Sequence, residues 1–207
     1  ASKTIISLCD YSGRWPAAYI EQGYKVLQFD LKHGDDCTDV EGTLKAIRGA
    51  LEGSVIVGVL AAPVCTDFSV SGAQYWTAKD ADGTTARSLK LLDGCVAIIE
   101  ACKPLWWALE NPVGRLKRLR PELPFVGWFQ PHNYAALDPE GASQYTKKTG
   151  LWGTLTMPEQ VSNNMEPIRS CSQGSWLQLL GGKSERTKEL RSMTPLGFAH
   201  AFAASNP

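Results

Sequence analysis

The apolar run Val55–Leu60 limits the folds open to this chain more than any other segment. It is too short for a typical helix and is rich in β-branched residues, which predicts a strand buried on both faces. Strands of that kind belong to parallel sheets, whose strands are connected by crossovers that are usually helical. The rest of the chain should therefore alternate strands with helices.

The neighbouring segments show this alternation. Strands are predicted at 4–9, 24–29 and 105–109. Helices are predicted at 15–22, 41–51 and 85–102. The last of these helices carries apolar residues at helical spacing, including Leu89, Leu92, Val96 and Ile99, which indicates one buried face.

Two more segments complete the predicted domain. The aromatic stretch 125–134 is typical of a strand packed in the sheet with an exposed tip. A closing helix should begin with Thr194 as its N-cap, carry Pro195 at its first helical position and run through Ala204. The whole pattern predicts a doubly wound, mostly parallel α/β sheet with helices on both faces, in one domain over residues 1–207.

Composition narrows the function classes. The formal net charge of zero provides no overall basic field for nucleic acid, so any such contact must come from local clusters. Candidate clusters are Arg115, Lys117, Arg118 and Arg120; Lys147 and Lys148; and Lys183, Arg186, Lys188 and Arg191. The amino terminus has no signal-peptide pattern and no stretch is long enough to span a membrane, so a cytoplasmic protein without a membrane partner is expected.

The six cysteines show no close, regular spacing. They form no Cys-x-x-Cys pair and no His/Cys cluster along the chain, so neither a disulfide scaffold nor a metal site is predicted. A reducing compartment fits this usage.

Chemistry-bearing residues follow two of the predicted strands. Cys65 comes shortly after the run that ends at Leu60, and Glu110 directly follows the strand at 105–109. The carboxyl ends of parallel strands share one edge of the sheet, where open α/β folds bind their ligands. A thiol nucleophile and a carboxylic acid can therefore face one substrate.

The segments around these two residues resemble the cytosine-carbon-5 DNA methyltransferases. The similarity lies in Pro-Val-Cys-Thr-Asp-Phe-Ser at 63–69, Glu-Asn-Pro at 110–112, Glu-Asn-Pro-Val-Gly-Arg-Leu-Lys at 110–117, Tyr-Thr-Lys-Lys-Thr-Gly-Leu-Trp at 145–152 and the ending at 192–202. The compact phage-encoded branch is the most similar, and the resemblance covers most of the chain except about 155–182. It implies the methyltransferase form of the sheet and a place in the cytoplasm of a bacterium or a phage-infected host.

The resemblance also implies roles for individual residues. Cys65 would attack carbon 6 of cytosine and Glu110 would act as the acid at ring nitrogen 3. The target base in DNA would be flipped out or presented single-stranded. Contacts to this substrate would come from Ser69, Asn111, Lys147 and Thr149. The last two stand where the family commonly has arginines, and Val64 replaces the usual proline before the nucleophile.

The cofactor implied is S-adenosylmethionine. From the residues alone, the glycine-containing turn after the first strand allows close backbone approach, and Asp30 at the end of the second strand can hold a ribose. The resemblance adds Asp36 as the adenine contact. The proposed cofactor residues are therefore Asp10, Ser12, Gly13, Asp30, Asp36 and Pro63. Arg14 and Trp15 depart from the family, which has glycines there.

A full target-recognition domain is missing. The segment 155–192 that takes its place is short and rich in Pro, Asn and Gly, which predicts a loop-rich insertion. We expect recognition of cytosine in at most a short sequence context, with phosphate contacts from Lys147, Lys148, Arg186 and Lys188.

Three alternatives remain open at this point. The altered turn at Arg14 and Trp15 motivates a cytosine-modifying enzyme that uses a different one-carbon donor and yields hydroxymethylcytosine. A second alternative keeps the donor but acts on RNA or a free nucleotide. The third is a catalytically silent nucleic-acid- or protein-binding module, which would not need Cys65, Glu110 and Asp30 together.

Overall fold

The computed structural model describes residues 1–63, 66–161, 165–167 and 184–207. Its strands are β1 (Lys3–Leu8), β2 (Lys25–Phe29), β3 (Val55–Ala61), β4 (Trp106–Pro112), β5 (Phe125–Phe129) and β6 (Thr149–Gly153). Its α-helices are α1 (Ala17–Glu21), α2 (Val40–Leu51), α3 (Trp76–Ala81), α4 (Thr84–Cys102), α5 (Leu116–Leu119), α6 (Glu185–Ser192) and α7 (Leu196–Ser205).

The six strands form one sheet in the order β2-β1-β3-β4-β6-β5. Strands β1 to β4 are mutually parallel, and β6 runs antiparallel between β4 and β5. The strand order reverses at β1, which has β2 on one side and β3 on the other. The predicted doubly wound, mostly parallel fold is confirmed, and its switch point lies between β1 and β3.

Each face of the sheet has its own apolar core. On one face α1 and α7 pack on the sheet through large aromatic residues, among them Trp15, Tyr19, Phe198 and Phe202. On the other face α2, α4 and α5 contribute aliphatic residues such as Ile47, Leu92, Ile98 and Leu116. Helices on both faces leave the carboxyl edge of the sheet as the place for a site.

A close packing contact explains one glycine of β3. A Cβ built on Gly58 would lie 2.2 Å from the indole of Trp106. A residue without a side chain is therefore required at position 58, because the indole of Trp106 from the neighbouring strand packs against it.

Strand β4 is longer than the sequence predicts. Glu110 and Asn111 lie within it and are paired with Leu151 and Gly150 of β6. Pro112 ends the strand opposite Thr149. A proline is tolerated where a strand ends, so the pairing with β6 can extend β4 to this residue.

Two helical predictions need correction. The closing helix α7 has Pro195 at its N-cap position without a side-chain cap, so Thr194 is not the N-cap. Helix α6 lies inside the segment predicted to be loop-rich, where Ser184 Oγ accepts a hydrogen bond from Thr187 N. Within the described ranges, no helix is long and apolar enough to cross a membrane.

Candidate active site

The turn after β1 is built around the carboxylate of Asp10. Its Oδ1 accepts a hydrogen bond from Gly13 N at 2.7 Å and its Oδ2 accepts one from Ser7 Oγ at 2.8 Å. Gly13 has φ 70°, a left-handed conformation that favours glycine. Burial raises the pKa of Asp10, and the hydrogen bonds from Ser7 and Gly13 oppose that rise. The predicted glycine turn is present, and the hydrogen bonds of the Asp10 carboxylate stabilise it.

Strand β2 closes this turn from the other side. Gln28 Nε2 donates hydrogen bonds to the carbonyl oxygens of Asp10 and Tyr11 at 2.8 and 2.9 Å. The residue after the turn, Trp15, is buried and packs edge-on to Phe202 at 5.4 Å. The tryptophan that departs from the family pattern is therefore part of the core between α1 and α7.

Asp30 and Asp36 lie beyond the end of β2. Asp30 Oδ1 accepts a hydrogen bond from Lys32 N at 2.9 Å and starts a short 3-10 turn, 31–33. Asp36 is exposed, and its Oδ1 accepts hydrogen bonds from Thr38 N and Thr38 Oγ1. These bonds lower the pKa of Asp36. Both carboxylates are fixed by local turns and keep an oxygen for a ligand hydroxyl or amino group.

The ends of β3 and β4 bring Pro63 next to the Glu-Asn pair. Ala61 is paired with Leu109, so the residues that follow lie side by side at the carboxyl edge. Asn111 is fully buried, and its Nδ2 lies 3.5 Å from the carbonyl oxygen of Pro63, a long hydrogen bond. Asn111 Oδ1 is buried without a hydrogen-bond partner among the described residues. It is an acceptor available to a ligand.

Glu110 occupies a desolvated position in the middle of this edge. Burial raises the pKa of its carboxyl group, and the nearby charge of Lys147 opposes the rise. A carboxyl group in this environment tends towards its neutral form, which can donate a hydrogen bond or a proton. This is the property that the predicted acid requires.

Val64 and Cys65 lie outside the described residues, but the chain on both sides of them is placed. Pro63 is buried beside Asn111, and Ser69 forms an isolated antiparallel bridge with Gly114. Ser69 Oγ also lies 2.9 Å from Ser71 Oγ. The segment that carries Cys65 thus begins and ends against the residues that follow Glu110.

A buried arginine, which the sequence did not single out as structural, anchors this segment. Arg115 is 5% exposed, and its guanidinium donates to the carbonyl oxygen of Asp67 and to Thr85 Oγ1. It also forms an ion pair with Asp80 at 2.9 Å and lies over the ring of Trp76. Its predicted role in a DNA-contacting cluster is wrong, because these contacts hold its side chain inside the protein.

The remaining basic residues differ in how they are engaged. Arg120 pairs with Asp93, and Lys188 pairs with Glu185 on its own helix. Lys117 and Lys148 are exposed and lie over the rings of Phe125 and Trp128. Arg118 and Arg186 are exposed, and Lys183 lies outside the described residues.

The predicted substrate contacts Lys147 and Thr149 flank Glu110 from β6 and the loop before it. Lys147 Nζ donates to the carbonyl oxygen of Arg191 at 2.6 Å, which ties this loop to α6. Thr149 is buried, and its Oγ1 donates to the carbonyl oxygen of Lys147 at 2.7 Å. The sheet brings both residues near Glu110, but their polar atoms are used within the protein.

Three cysteines that are scattered along the chain lie together in the fold. Cys9, Cys37 and Cys95 have their sulfur atoms within 4.8 Å of one another. Hydrogen bonds with Cys9 and Cys95 lower the pKa of Cys37. The hydrogen bond with Cys37 raises the pKa of Cys9 and that of Cys95. Spacing along the chain gave no signal, because the three residues come from three different elements.

Comparisons with known proteins add little to this geometry. No protein-family model and no curated protein matches the chain. Among solved structures, a prophage-encoded E. coli protein assigned as a DNA modification methyltransferase is similar over 73% of this chain, with a TM-score of 0.47 and 14% identity. The match covers 46% of that protein, so this chain spans less than half of its length. A likeness of this strength carries no weight for activity.

Proposed function

We propose that this protein is a DNA methyltransferase that modifies carbon 5 of cytosine, with S-adenosylmethionine as the methyl donor. The observation that carries the proposal is the position of Glu110. Its side chain is desolvated near the carboxyl edge of the sheet. It lies in β4, which pairs with β3, the strand that precedes Cys65 in the chain. Motifs that resemble one family's nucleophile and acid therefore come from adjacent parallel strands.

The chemistry explains why a thiol and a neutral acid are both needed. Carbon 5 of cytosine becomes nucleophilic when the Cys65 thiolate adds to carbon 6. Glu110 would offset the charge that develops on the ring by donating to nitrogen 3. After methylation, loss of the proton from carbon 5 expels the thiolate and restores the aromatic ring. Asn111 Oδ1, which has no partner among the described residues, would supply an acceptor for the amino group of the base.

The residues around the first two strands fit the proposed cofactor. Asp30 would hold the ribose hydroxyls, and Asp36 would accept from the adenine amino group. The turn at Ser12 and Gly13, together with Pro63, would contact the rest of the cofactor. When bound, S-adenosylmethionine supplies an electrophilic methyl group. The chain's own part is to orient that group towards the base and to exclude water.

Covalent trapping on DNA that contains 5-fluorocytosine tests this proposal. Fluorine at carbon 5 cannot leave as a proton does, so methyl transfer should leave the DNA attached to Cys65. We expect an adduct by intact mass only when S-adenosylmethionine and DNA are both present. Cys65→Ser should give none, whereas Cys102→Ser, a change at a half-buried cysteine on α4, should give the wild-type yield.

The same assay separates the alternatives. An adduct with fluorocytosine RNA but not DNA would assign a different substrate, and an adduct that needs a folate one-carbon unit would assign a different donor. S-adenosylhomocysteine binding without an adduct on any of these substrates would favour the silent module and contradict the proposed catalysis.

A further inference from the structure

The three-thiol group lies outside the proposed catalytic residues and has no part in the chemistry described above. Cys9 directly follows β1, Cys37 precedes α2 and Cys95 lies in the middle of α4. The sulfur atoms of Cys9 and Cys95 are 3.6 Å apart, and all three lie within 4.8 Å of one another. Three separate elements therefore bring their thiols to one point.

These separations suit three ligands of one ion. Metal–sulfur bonds to zinc are about 2.3 Å long, which puts the sulfur atoms of a three-coordinate or tetrahedral site roughly 3.8–4.0 Å apart. The Cys9–Cys95 separation of 3.6 Å is close to this range, and the upper limit of 4.8 Å on all three separations is compatible with it. The sulfur atoms are too far apart for a disulfide, whose bond is about 2 Å long.

The backbone is arranged to bring the thiols together. Cys9 has φ 56°, a left-handed conformation that a residue with a side chain rarely adopts. Gly94 lets the loop that carries Cys37 lie directly on α4, because a Cβ there would be 2.5 Å from the carbonyl oxygen of Cys37. Conformations of this kind are retained where the surrounding structure requires them, often at functional sites.

The surroundings define which ion would fit. Cys37 and Cys95 are 2% and 0% exposed and belong to the apolar core on the α2 and α4 face. Cys9 is partly exposed and gives a path of entry. Within the described part of the chain, the group consists of thiols alone. Thiolate ligands select soft ions such as Zn²⁺, Cd²⁺ and Cu⁺ over Mg²⁺ or Ca²⁺.

We propose that Cys9, Cys37 and Cys95 form a binding site for a thiophilic metal ion. The bound ion would join the end of β1, the loop before α2 and the middle of α4. Cys9 is adjacent in sequence to Asp10, and Cys37 is adjacent to Asp36. The bound ion would therefore stabilise both of the segments that are proposed to bind the cofactor. The site does not depend on the proposed methyltransferase activity.

Cadmium is a suitable probe, because thiolate-to-cadmium charge transfer gives an ultraviolet band that reports sulfur ligation directly. The 207-residue chain is reduced with a phosphine and titrated with Cd²⁺. A phosphine is used because a dithiol reductant would itself compete for the metal ion. We expect a charge-transfer band that saturates with a tight site in each chain. Cys37→Ser and Cys95→Ser should weaken binding by about tenfold or more, whereas Cys102→Ser on the same helix should leave it unchanged.

A second measurement uses only the wild-type chain and does not depend on whether the variants fold. Cys9 and Cys102 are both partly exposed free thiols, so their alkylation rates can be compared by peptide mass mapping. Cadmium should slow alkylation of Cys9 by about tenfold or more while Cys102 reacts at its former rate. Equal slowing of the two, or no slowing of Cys9, would overturn the proposed site whatever the outcome of the methylation assays.

Discussion

Ser69 and Gly114 form an antiparallel bridge that joins the segment after Cys65 to the segment after Glu110. Two backbone hydrogen bonds flank the bridge, from Val70 N to the carbonyl oxygen of Val113 and from Arg115 N to that of Phe68, each at 2.9 Å. Cys65 follows β3 along the chain and Glu110 lies in the adjacent strand β4, so the bridge joins the described segments that come after each of them. Catalytic groups must be held within a fraction of an ångström of their working positions, so this contact should affect the proposed activity.

The first prediction concerns Gly114→Ala. A Cβ at this position would lie 1.7 Å from the carbonyl oxygen of Phe68, so the two segments must separate. Overpacking of this kind costs about 1–3 kcal/mol of the free energy of unfolding. We expect turnover to fall further than this stability loss explains, because the Cys65 segment would move relative to Glu110. Urea denaturation and a methyl-transfer assay on the same preparation measure both effects.

Gly49→Ala is the matched control for this change. Gly49 is exposed within α2, and nothing lies within 4 Å of the Cβ it would gain. The substitution should stabilise the helix by roughly 0.5–1 kcal/mol without altering turnover. Wild-type turnover in Gly114→Ala would show that the bridge does not position the site.

The second prediction concerns Glu110→Gln. General acid catalysis contributes about 10²–10⁴-fold, so turnover should fall by a factor in that range. The raised pKa of Glu110 means that the wild-type rate should decline as the pH rises through it, and the variant should lack this step. Rate profiles against pH for both chains test the assignment, with exposed Glu100→Gln as the control.

The same residue gives a stability prediction of defined sign. A partly buried acid whose pKa is raised by desolvation binds its proton more tightly in the folded chain than in the unfolded one. Stability therefore falls as the pH rises from the ordinary carboxyl range towards the raised value. Glu110→Gln should remove this loss, so its advantage in unfolding free energy over wild type should grow with pH across that window. A constant difference between the two chains would contradict the sign.

The sheet was predictable because its strands carry local signals. Val55–Leu60 is a short run rich in β-branched residues, and its length and composition favour a strand over a helix. The sequence places Glu110 directly after the strand predicted at 105–109, not within it. Pairing with β6, which the local sequence does not encode, extends β4 through Glu110 and Asn111.

Tertiary contacts also explain what the sequence could not reveal about the site. Arg115 belongs to a run of basic residues typical of a solvated face, yet it is buried by Asp67, Asp80 and Thr85, which lie far from it in the chain. The contact between Cys9 and Cys95 depends on how α4 packs against the residue that follows β1. The position of Asp30 directly after β2 could be predicted, because the strand pattern alone places it at the carboxyl edge.

The third prediction concerns cofactor affinity. Asp30→Asn keeps a side-chain acceptor for Lys32 N, so the turn should persist, but it removes the charge that would hold the ribose hydroxyls. A hydrogen bond to a charged group contributes about 1.5–3 kcal/mol, which corresponds to roughly a tenfold to hundredfold loss of affinity for S-adenosylhomocysteine. Calorimetric titration measures this loss.

Asp82→Asn is the control for Asp30→Asn. Asp82 Oδ1 accepts from Thr84 N at 2.9 Å in the same local arrangement, at the start of α4. Removal of this carboxylate should leave the affinity unchanged. Equal affinities in wild type and both variants would show that Asp30 does not contact the cofactor.

The fourth prediction concerns Arg115→Lys. Lysine retains the charge but cannot reproduce the planar set of donors that reaches Asp67, Asp80 and Thr85 together. We expect the chain to lose roughly 1–3 kcal/mol of unfolding free energy. Because Arg115 is buried, the salt dependence of DNA binding should not change. A shallower salt dependence in Arg115→Lys would return this residue to the DNA-contacting group.

The last prediction concerns how the chain binds and reads DNA. Lys148 is exposed beside the strand that faces Glu110, and its ammonium group lies 5.3 Å from the ring of Trp128. If it neutralises one phosphate, Lys148→Ala should reduce the slope of log affinity against log salt by about one. Lys45→Ala removes another exposed charge, from α2, and should leave the slope unchanged.

Direct readout of DNA sequence requires several rigidly held side chains, each bidentate contact giving about 1–3 kcal/mol of discrimination. Bisulfite sequencing of treated DNA should therefore show methylation of cytosine in at most a short context, and a strictly required longer site would contradict this expectation.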